Sequence, residues 1–336
     1  MADFAYASGS VYNTAMRRPH KSRSTLAGEH RAVLLDDVLR ILDPRPGMTV
    51  VDCTVGWAGH SAELLKRIGP TGTLIGLDMD SENLPRARER LEAVGHPFHL
   101  HHANFAGLLQ VLAEHNITQV DVLLADLGMS SMQVDDPARG FSYSRDGALD
   151  MRMDRSRGRT AAQLLATISA DELAAALQNL ADEPQAERIA AAVVAGRQIS
   201  PVTTTKELAK LIQQATKQEQ WQLHPSQGKW NLHPAARTFQ ALRILVNREL
   251  ANLDNLLRIL PSCLAYNGKS AIISFHSGED RLVKSAFRAG LHAGHYRETA
   301  DEPIRADFSE RTQNPRARSA KLRWAQRVSE DGASGR

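Results

Sequence analysis

The feature that most constrains this chain is a regular alternation of buried strands and helices between residues 48 and 125. Four short apolar runs predict strands, and stretches with apolar residues at helical spacing separate them. The strands are predicted at 48–52, 73–77, 98–101 and 120–125, and the helices at 61–68, 81–94 and 108–112. Strands joined in this order by right-handed helical crossovers lie parallel in one sheet. The sequence therefore predicts an α/β fold with a doubly wound parallel sheet.

The alternation stops after residue 134, and residues 135–235 contain no convincing buried strand. Two capping boxes predict helices in this segment, because a Ser or Thr and a Glu three residues later satisfy each other's free backbone donors. They are formed by Ser169 with Glu172 and by Thr204 with Glu207. We expect this segment to be a helical insertion.

The sheet pattern returns near the C-terminus. An apolar stripe from Phe239 to Leu260 predicts one long helix ended by Pro261, and further strands are predicted at 270–275 and 322–328. One sheet is thus interrupted by an insertion of about 100 residues, within the size range of one domain. The predicted division is a flexible basic tail at 1–27, a split sheet core at 28–134 and 236–330, the helical insertion at 135–235, and a short tail at 331–336.

Composition excludes several classes of protein. The chain has 336 residues, 42% of them hydrophobic and 24% charged, which is ordinary for a folded globular protein. Its two cysteines are too few for a disulfide scaffold or a four-cysteine zinc site. The sequence contains no apolar run of the length of a membrane span and no signal-peptide core near Met1. We expect a cytoplasmic protein in a reducing compartment, without a membrane partner.

Three predicted strand ends carry residues suited to a ligand. Gly56 and Gly59 follow the first strand, Asp78 ends the second and Asp126 ends the fourth. Ligands of doubly wound sheets bind beyond these carboxyl ends, and an acid after the second strand can accept hydrogen bonds from ribose hydroxyls. The spacing is G-x-x-G and not G-x-G-x-x-G, which favours a nucleoside such as S-adenosylmethionine over NAD. A tight turn with a helix-capping acid is the alternative that this pattern leaves open.

Five later segments are far more specific. They are DLGMSSMQVD (126–135), RGFSY (139–143) running on to LDMRMD (149–154), TFQALRI with VNREL (238–250), ISFHSGEDR (273–281) and NPRARSAKLR (314–323). In this order they closely resemble the bacterial 16S ribosomal RNA cytosine-N4 methyltransferase family, from about residue 30 to residue 327. The resemblance implies a Rossmann-like doubly wound methyltransferase sheet with an inserted all-helical domain for substrate recognition.

The resemblance also implies an activity and a set of site residues. The reaction is transfer of a methyl group from S-adenosylmethionine to the exocyclic N4 of a cytosine in the decoding centre of 16S rRNA. Carried over by position, the cofactor contacts are Ala58, Gly59, His60, Asp78, Phe105, Asp126 and Gln133. The chain departs from the family pattern at Ala58, where the family usually has Gly, at Gly278, where it usually has Leu, and in the segment 217–231, which resembles an insertion.

Two residues are candidates for the chemistry. The N4 of cytosine is a poor nucleophile, so the enzyme must align it and stabilise the charge that grows on it. No Asn/Asp-Pro-Pro-aromatic motif of DNA amino-methyltransferases follows the fourth strand, which argues against DNA as substrate. We expect the Asp126 carboxylate or nearby backbone carbonyls to accept the N4 hydrogens, or Asp126 only to hold the cofactor. We expect His276 to act as a base, to contact RNA or to be structural. No metal site is predicted.

Contacts with RNA are expected from local charge, since the net charge is only +3. Two arginine-rich segments follow the fourth strand and precede the C-terminus. The residues predicted to contact 16S rRNA of the small ribosomal subunit are Arg139, Phe141, Tyr143, Arg152, Arg316 and Arg318. A solvated face is the alternative for either segment. A non-catalytic ribosome-assembly factor with the same fold, and a monomer or a homodimer, remain open at this point.

Overall fold

The computed structural model describes residues 32–217, 222–223 and 231–330, with side chains omitted at 131, 222–223 and 231–232. The predicted tails at 1–27 and 331–336, and most of the segment 217–231, lie outside the described residues.

Seven strands of the described residues form one sheet in the order β3-β2-β1-β4-β7-β9-β8. The strands are β1 (Thr49–Asp52), β2 (Thr73–Asp78), β3 (Phe98–His102), β4 (Val120–Asp126), β7 (Leu264–Ser274), β8 (Tyr296–Thr299) and β9 (Lys321–Arg327). A separate two-residue ladder pairs β5 (Gln222–Leu223) with β6 (Asn231–Leu232). The predicted doubly wound sheet is confirmed.

The prediction of parallel pairing holds for only part of the sheet. Strands β1 to β4 and β7 pair in parallel, as expected for strands joined by helical crossovers. Strand β9 instead runs antiparallel to both β7 and β8. Strand β8 was missed by the sequence pattern, because this four-residue edge strand has one buried and two exposed side chains and so no apolar run.

Helices cover both faces of the sheet and build the insertion. They are α1 (Leu35–Leu42), α2 (Gly59–Ile68), α3 (Leu84–Glu92), α4 (Leu108–Glu114), α5 (Ser131–Asp135), α6 (Ala161–Leu165), α7 (Ala170–Ala181), α8 (Ala186–Ile199), α9 (Thr205–Thr216), α10 (Ala236–Asn247), α11 (Glu249–Cys263), α12 (Ser277–His292) and α13 (Phe308–Gln313). Both predicted capping boxes are present, at the starts of α7 and α9.

The long helix predicted from Phe239 to Leu260 is two helices, so that prediction is wrong. Arg248 takes a left-handed conformation, with φ of 53°, and separates α10 from α11. The predicted end at Pro261 is also wrong, since Pro261 lies inside α11. The apolar stripe continues across the break because each of the two helices buries one face. The two faces are buried in different hydrophobic cores.

Three hydrophobic cores bury the apolar faces of the helices. The first core lies on the side of the sheet that packs α1 to α3, and the second packs α4, α11 and α12. The third core is made by residues 141–242 and joins α6 to α10. Helix α10 therefore packs with the insertion, whereas α11 packs on the sheet. Within the described residues, no helix is both long and apolar enough to cross a membrane.

Candidate active site

A cavity of about 340 Å³ opens at the carboxyl ends of β1, β2 and β4. This is where doubly wound sheets bind ligands, and the volume suits a nucleoside-sized molecule. The residues that line it include Gly56, Gly59, His60, Asp78, Phe105, Asp126, Gly128, Gln133, Arg243, Glu249, Asn252, Phe275, Glu279 and Arg316.

The turn after β1 forms one wall of the cavity. The buried Asp52 carboxylate accepts hydrogen bonds from the Ser61 hydroxyl at 2.5 Å and from the Thr54 backbone N–H at 3.0 Å. These bonds tie the turn to the first turn of α2. Thr54 also accepts a hydrogen bond from the backbone N–H of Asp126 at 2.7 Å, so the same turn fixes the end of β4.

Asp78, the last residue of β2, faces the cavity from a buried position. Its carboxylate accepts hydrogen bonds from the backbone N–H of Gly56 at 2.7 Å and of Asp80 at 2.8 Å. Burial raises its pKa to about 6, although these hydrogen bonds favour the charged form. A carboxylate fixed at this strand end can accept hydrogen bonds from ribose hydroxyls.

Asp126, the last residue of β4, is the second acid of the cavity. Burial raises its pKa to about 6, and His60 and Arg316 act against that rise. Its Oδ2 lies 3.7 Å from Nδ1 of His60. Its Oδ1 is buried and has no hydrogen-bond partner within the described part of the chain. A buried acceptor without a donor is unfavourable, so this oxygen is suited to a donor on a ligand.

The opposite wall comes from α10, α11 and α12. Arg243 donates two hydrogen bonds to Glu249, at 2.9 and 2.8 Å, forming a buried bidentate pair. Glu279 accepts a hydrogen bond from the Phe275 N–H at 2.8 Å. These acids, with Asp126, make the cavity wall acidic and so suited to a cationic ligand.

His276 is the N-cap of α12 and lies beside Glu279 of this wall. Its Nδ1 accepts a hydrogen bond from the Glu279 N–H at 3.4 Å, which places the ring proton on Nε2. The Glu249, His276 and Glu279 side chains bring metal-ligating atom types within 4.8 Å of one another. The Nε2 of His276 lies 3.2 Å from Oε1 of Glu279.

The structure brings together most of the residues predicted to bind the cofactor. Gly59, His60, Asp78, Phe105, Asp126 and Gln133 all line the cavity. Ala58 does not line the cavity, so its predicted contact with the cofactor stays a prediction. Its methyl group is fully buried in the first core, and its backbone is left-handed, with φ of 56°. That conformation favours glycine, which explains why a Gly is usual at this position.

Three of the predicted RNA contacts are buried or committed to other residues. Arg139 is 3% exposed and donates to the Asp80 carboxylate at 2.7 Å. Phe141 is 6% exposed and belongs to the third core. Tyr143 stacks on the His233 ring, with 4.4 Å between ring centroids. Burial contradicts the predicted RNA contacts of Arg139 and Phe141, because neither side chain presents a surface to phosphate or base.

The other predicted RNA contacts are more accessible. Arg152 pairs with both carboxylate oxygens of Asp150 and donates to backbone carbonyls of residues 155–158, so it orders the loop. Arg316 lines the cavity, and its charge favours ionised Asp126. Arg318 is exposed and follows it on the same turn. These two arginines place positive charge at the cavity and beside it.

The sequence pattern missed the wall formed by Arg243, Asn247, Glu249 and Asn252. Arg243, Asn247 and Glu249 lie in the TFQALRI and VNREL segments, and Asn252 follows two residues after them. This stretch predicted only an amphipathic helix. The signal was available in the polar residues Arg243 and Glu249, which lie beside the apolar stripe six residues apart and form an ion pair across the turn between α10 and α11.

The fold and the site together define a nucleoside-binding α/β protein with an acidic reaction pocket. Comparison with known proteins narrows this class. A sequence model of the MraW methylase family matches residues 27–328. The chain therefore belongs to the MraW methylase family, and it is an S-adenosylmethionine-dependent methyltransferase.

Its relatives carry a more particular name. The chain is 42% identical over 318 residues to ribosomal RNA small subunit methyltransferase H 2 of Alkaliphilus metalliredigens, covering 94% of this chain and 90% of that protein. It is 44% identical over 325 residues to ribosomal RNA small subunit methyltransferase H of Halorhodospira halophila, covering 90% and 95%. For the protein of that name from Geobacter sp. strain M21, the values are 42% over 316 residues, 89% and 98%.

Proposed function

We propose that this protein methylates the exocyclic N4 of a specific cytosine in the decoding centre of 16S rRNA. The relatives' name supports the small-subunit rRNA as the substrate class. The observation that carries the choice of atom is the unpartnered Oδ1 of Asp126, a buried acceptor at the end of β4. An exocyclic amino group can donate one N–H to this oxygen while its nitrogen faces the methyl donor, whereas an unprotonated ring nitrogen of the base has no hydrogen to donate.

The residues present fit S-adenosylmethionine. Asp78 would accept hydrogen bonds from the ribose hydroxyls, and Phe105 would pack against the adenine. Asp126 and Glu279 would lie near the positive sulfur, since both acids line the same cavity. When bound, the cofactor supplies an electrophilic methyl group, which even a poor nucleophile can attack.

The task of the protein is then to orient N4 and to stabilise its developing charge. The Asp126 carboxylate, ionised at neutral pH, accepts a hydrogen bond from N4 and directs the amino group toward the cofactor. The same negative charge stabilises the positive charge that grows on N4 as the new bond forms. Because the carboxylate is fixed before the substrate arrives, it needs no reorganisation during the reaction.

The helical insertion would recognise the RNA. Arg145, Arg155 and Arg157 have side chains at least 43% exposed in the loop between β4 and α6, and Arg318 is exposed near the cavity. Exposed arginines bind phosphates, and a paired cytosine would have to leave its helix to reach Asp126, at a cost of a few kcal/mol. We place the protein in the cytoplasm, with the small ribosomal subunit as its partner.

The experiment is mass mapping of 16S rRNA from cells that lack the protein and are complemented with wild type, Asp126→Asn or Asp254→Asn. Wild type and Asp254→Asn, which changes an exposed acid on α11, should restore an N4-methylcytosine. Asp126→Asn should restore little or none. Absence of N4-methylcytosine in the wild-type complement would refute the proposed function.

A second measurement separates catalysis from cofactor binding. If Asp126 acts on N4, the Asp126→Asn variant keeps a measurable affinity for S-adenosylmethionine but loses turnover at saturating cofactor. Lost affinity with unchanged turnover would assign Asp126 to the cofactor alone.

A further inference from the structure

His60 lies in the first turn of α2 and is 6% exposed, with its ring between two oxygen atoms. Its Nε2 is 2.8 Å from the backbone carbonyl oxygen of Val33. A carbonyl oxygen can only accept, so Nε2 must carry the proton of this hydrogen bond. In the neutral ring Nδ1 therefore has a free lone pair, and this nitrogen points toward Asp126, with 3.7 Å between Nδ1 and Oδ2.

In this arrangement neither Nδ1 of His60 nor Oδ2 of Asp126 carries a proton, so the contact between them can accept one. A neutral Nδ1 and an ionised Oδ2 are both acceptors, and two facing acceptors in a buried site repel each other. A proton on either atom turns the contact into a donor–acceptor pair. The groups that act on Asp126 from neighbouring elements are the acids Asp52 and Glu279, which raise its pKa, and the basic side chains of His60 and Arg316, which lower it.

Methylation of N4 releases such a proton. The N4–methyl bond forms as the methyl–sulfur bond breaks, and the nitrogen, which begins with two hydrogens, must lose one to regain a neutral amino group. Asp126, which accepts a hydrogen bond from N4, is the first acceptor. Its Oδ2 then faces the vacant lone pair of His60, which is the next base along this line of atoms.

We propose that His60 takes over, at Nδ1, the proton that Asp126 accepts from the substrate amine, and so returns Asp126 to its charged form. The proton then passes from His60 to water when the products leave the cavity. His60 acts through Asp126 and is thus a positioning residue for the proton. This inference rests on the proposed function for the origin of the proton, whereas the tautomer it requires is a property of the free protein.

The tautomer is tested first, without cofactor or RNA, by nitrogen-15 NMR of histidine-labelled protein. The His60 signals are assigned by their loss in His60→Gln. We expect a neutral ring protonated at Nε2, with the lone pair on Nδ1. A neutral ring protonated at Nδ1 would overturn the inference.

The second test is the single-turnover rate of rRNA methylation as a function of pH. In His60→Gln the side-chain amide can still donate to the Val33 carbonyl, but no basic nitrogen faces Asp126. We expect a rate at least about tenfold below wild type at neutral pH, with cofactor affinity changed by less than about threefold. The acid limb of the rate should change its position, because no basic nitrogen is left to share the proton of Asp126.

His292→Gln, an exposed histidine in the last turn of α12, is the matched control and should match wild type in both measurements. A purely structural role for His60 predicts lower stability without a shifted acid limb. If His60→Gln methylates at the wild-type rate with an unshifted acid limb while Asp126→Asn is inactive, this inference fails and the proposed function stands. If wild type does not methylate N4, the proposed function fails, and the NMR result still decides the tautomer.

Discussion

Replacement of Asp126 by Asn should make the protein more stable while it removes activity. The ordinary pKa of an aspartic acid is 3.8, and burial raises that of Asp126 to about 6. The folded state therefore disfavours the charged form relative to the unfolded chain. Asn has nearly the same shape and cannot ionise, so the variant does not carry this penalty.

The size of the effect follows from the two pKa values. At pH 8, well above both, the difference corresponds to about 3 kcal/mol of lost stability in the wild type. We expect a gain of about 2–3 kcal/mol in the variant, since 24% of the side chain stays exposed. The sign depends on pH, because a raised folded-state pKa costs stability only where the group ionises. The gain should be complete above pH 7, about half as large at pH 5, and nearly gone below pH 4.

The assay is urea unfolding followed by circular dichroism at pH 8 and pH 5, for wild type, Asp126→Asn and the exposed control Asp254→Asn. The control should change the free energy of unfolding by less than about 0.5 kcal/mol at either pH. An Asp126→Asn variant that is no more stable than wild type at pH 8 would refute the reasoning. So would a gain of equal size at the two pH values, because a charge penalty must vanish as the acid protonates.

The remaining predictions concern the loop after β4 and the acid of β2. Arg139→Ala leaves the buried Asp80 carboxylate without its cation, so the free energy of unfolding should fall by about 3–5 kcal/mol, against less than about 0.5 kcal/mol for Arg258→Ala, an exposed arginine on α11. Wild-type stability with weakened RNA binding would instead restore the surface role of Arg139. Gly140→Ala places a Cβ 2.2 Å from the Ala148 carbonyl oxygen at a φ of +74°, so the melting temperature should fall by at least about 3 °C; an unchanged melting curve would contradict this steric argument. Because burial raises the pKa of Asp78 to about 6 and the charged form accepts from the ribose, the affinity for S-adenosylmethionine should fall about tenfold from pH 7 to pH 5 in calorimetry. A pH-independent affinity would remove Asp78 from the ribose site.

The sequence pattern predicted the sheet well, because central strands that are buried on both faces are written as continuous apolar runs. Strands β1, β2 and β4 are of this kind. It missed β8, an exposed edge strand, and the turn at Arg248, where the apolar stripe continues although the backbone reverses. A local pattern records which side of a helix is buried, but not which core buries it.

The same limit applies to the site. Asp78 and Asp126 were predicted because both lie at strand ends, whose position in a doubly wound sheet is fixed by topology. Arg139 was assigned to the surface because its partners Asp80 and Glu82 are more than 50 residues away along the chain. The wall formed by Arg243 and Glu249 required the turn at Arg248, which no periodicity indicates.

That turn has a mechanical consequence. Arg243 belongs to the last helix of the third core, Glu249 opens the helix that packs on the sheet, and their bidentate pair closes over the left-handed residue between them. This ion pair links α10 to α11 and so fixes the angle at which the two helices meet. The same two side chains line the cavity, so a ligand that binds either one weakens the ion pair. We therefore expect ligand entry and the relative orientation of α10 and α11 to be coupled through this ion pair.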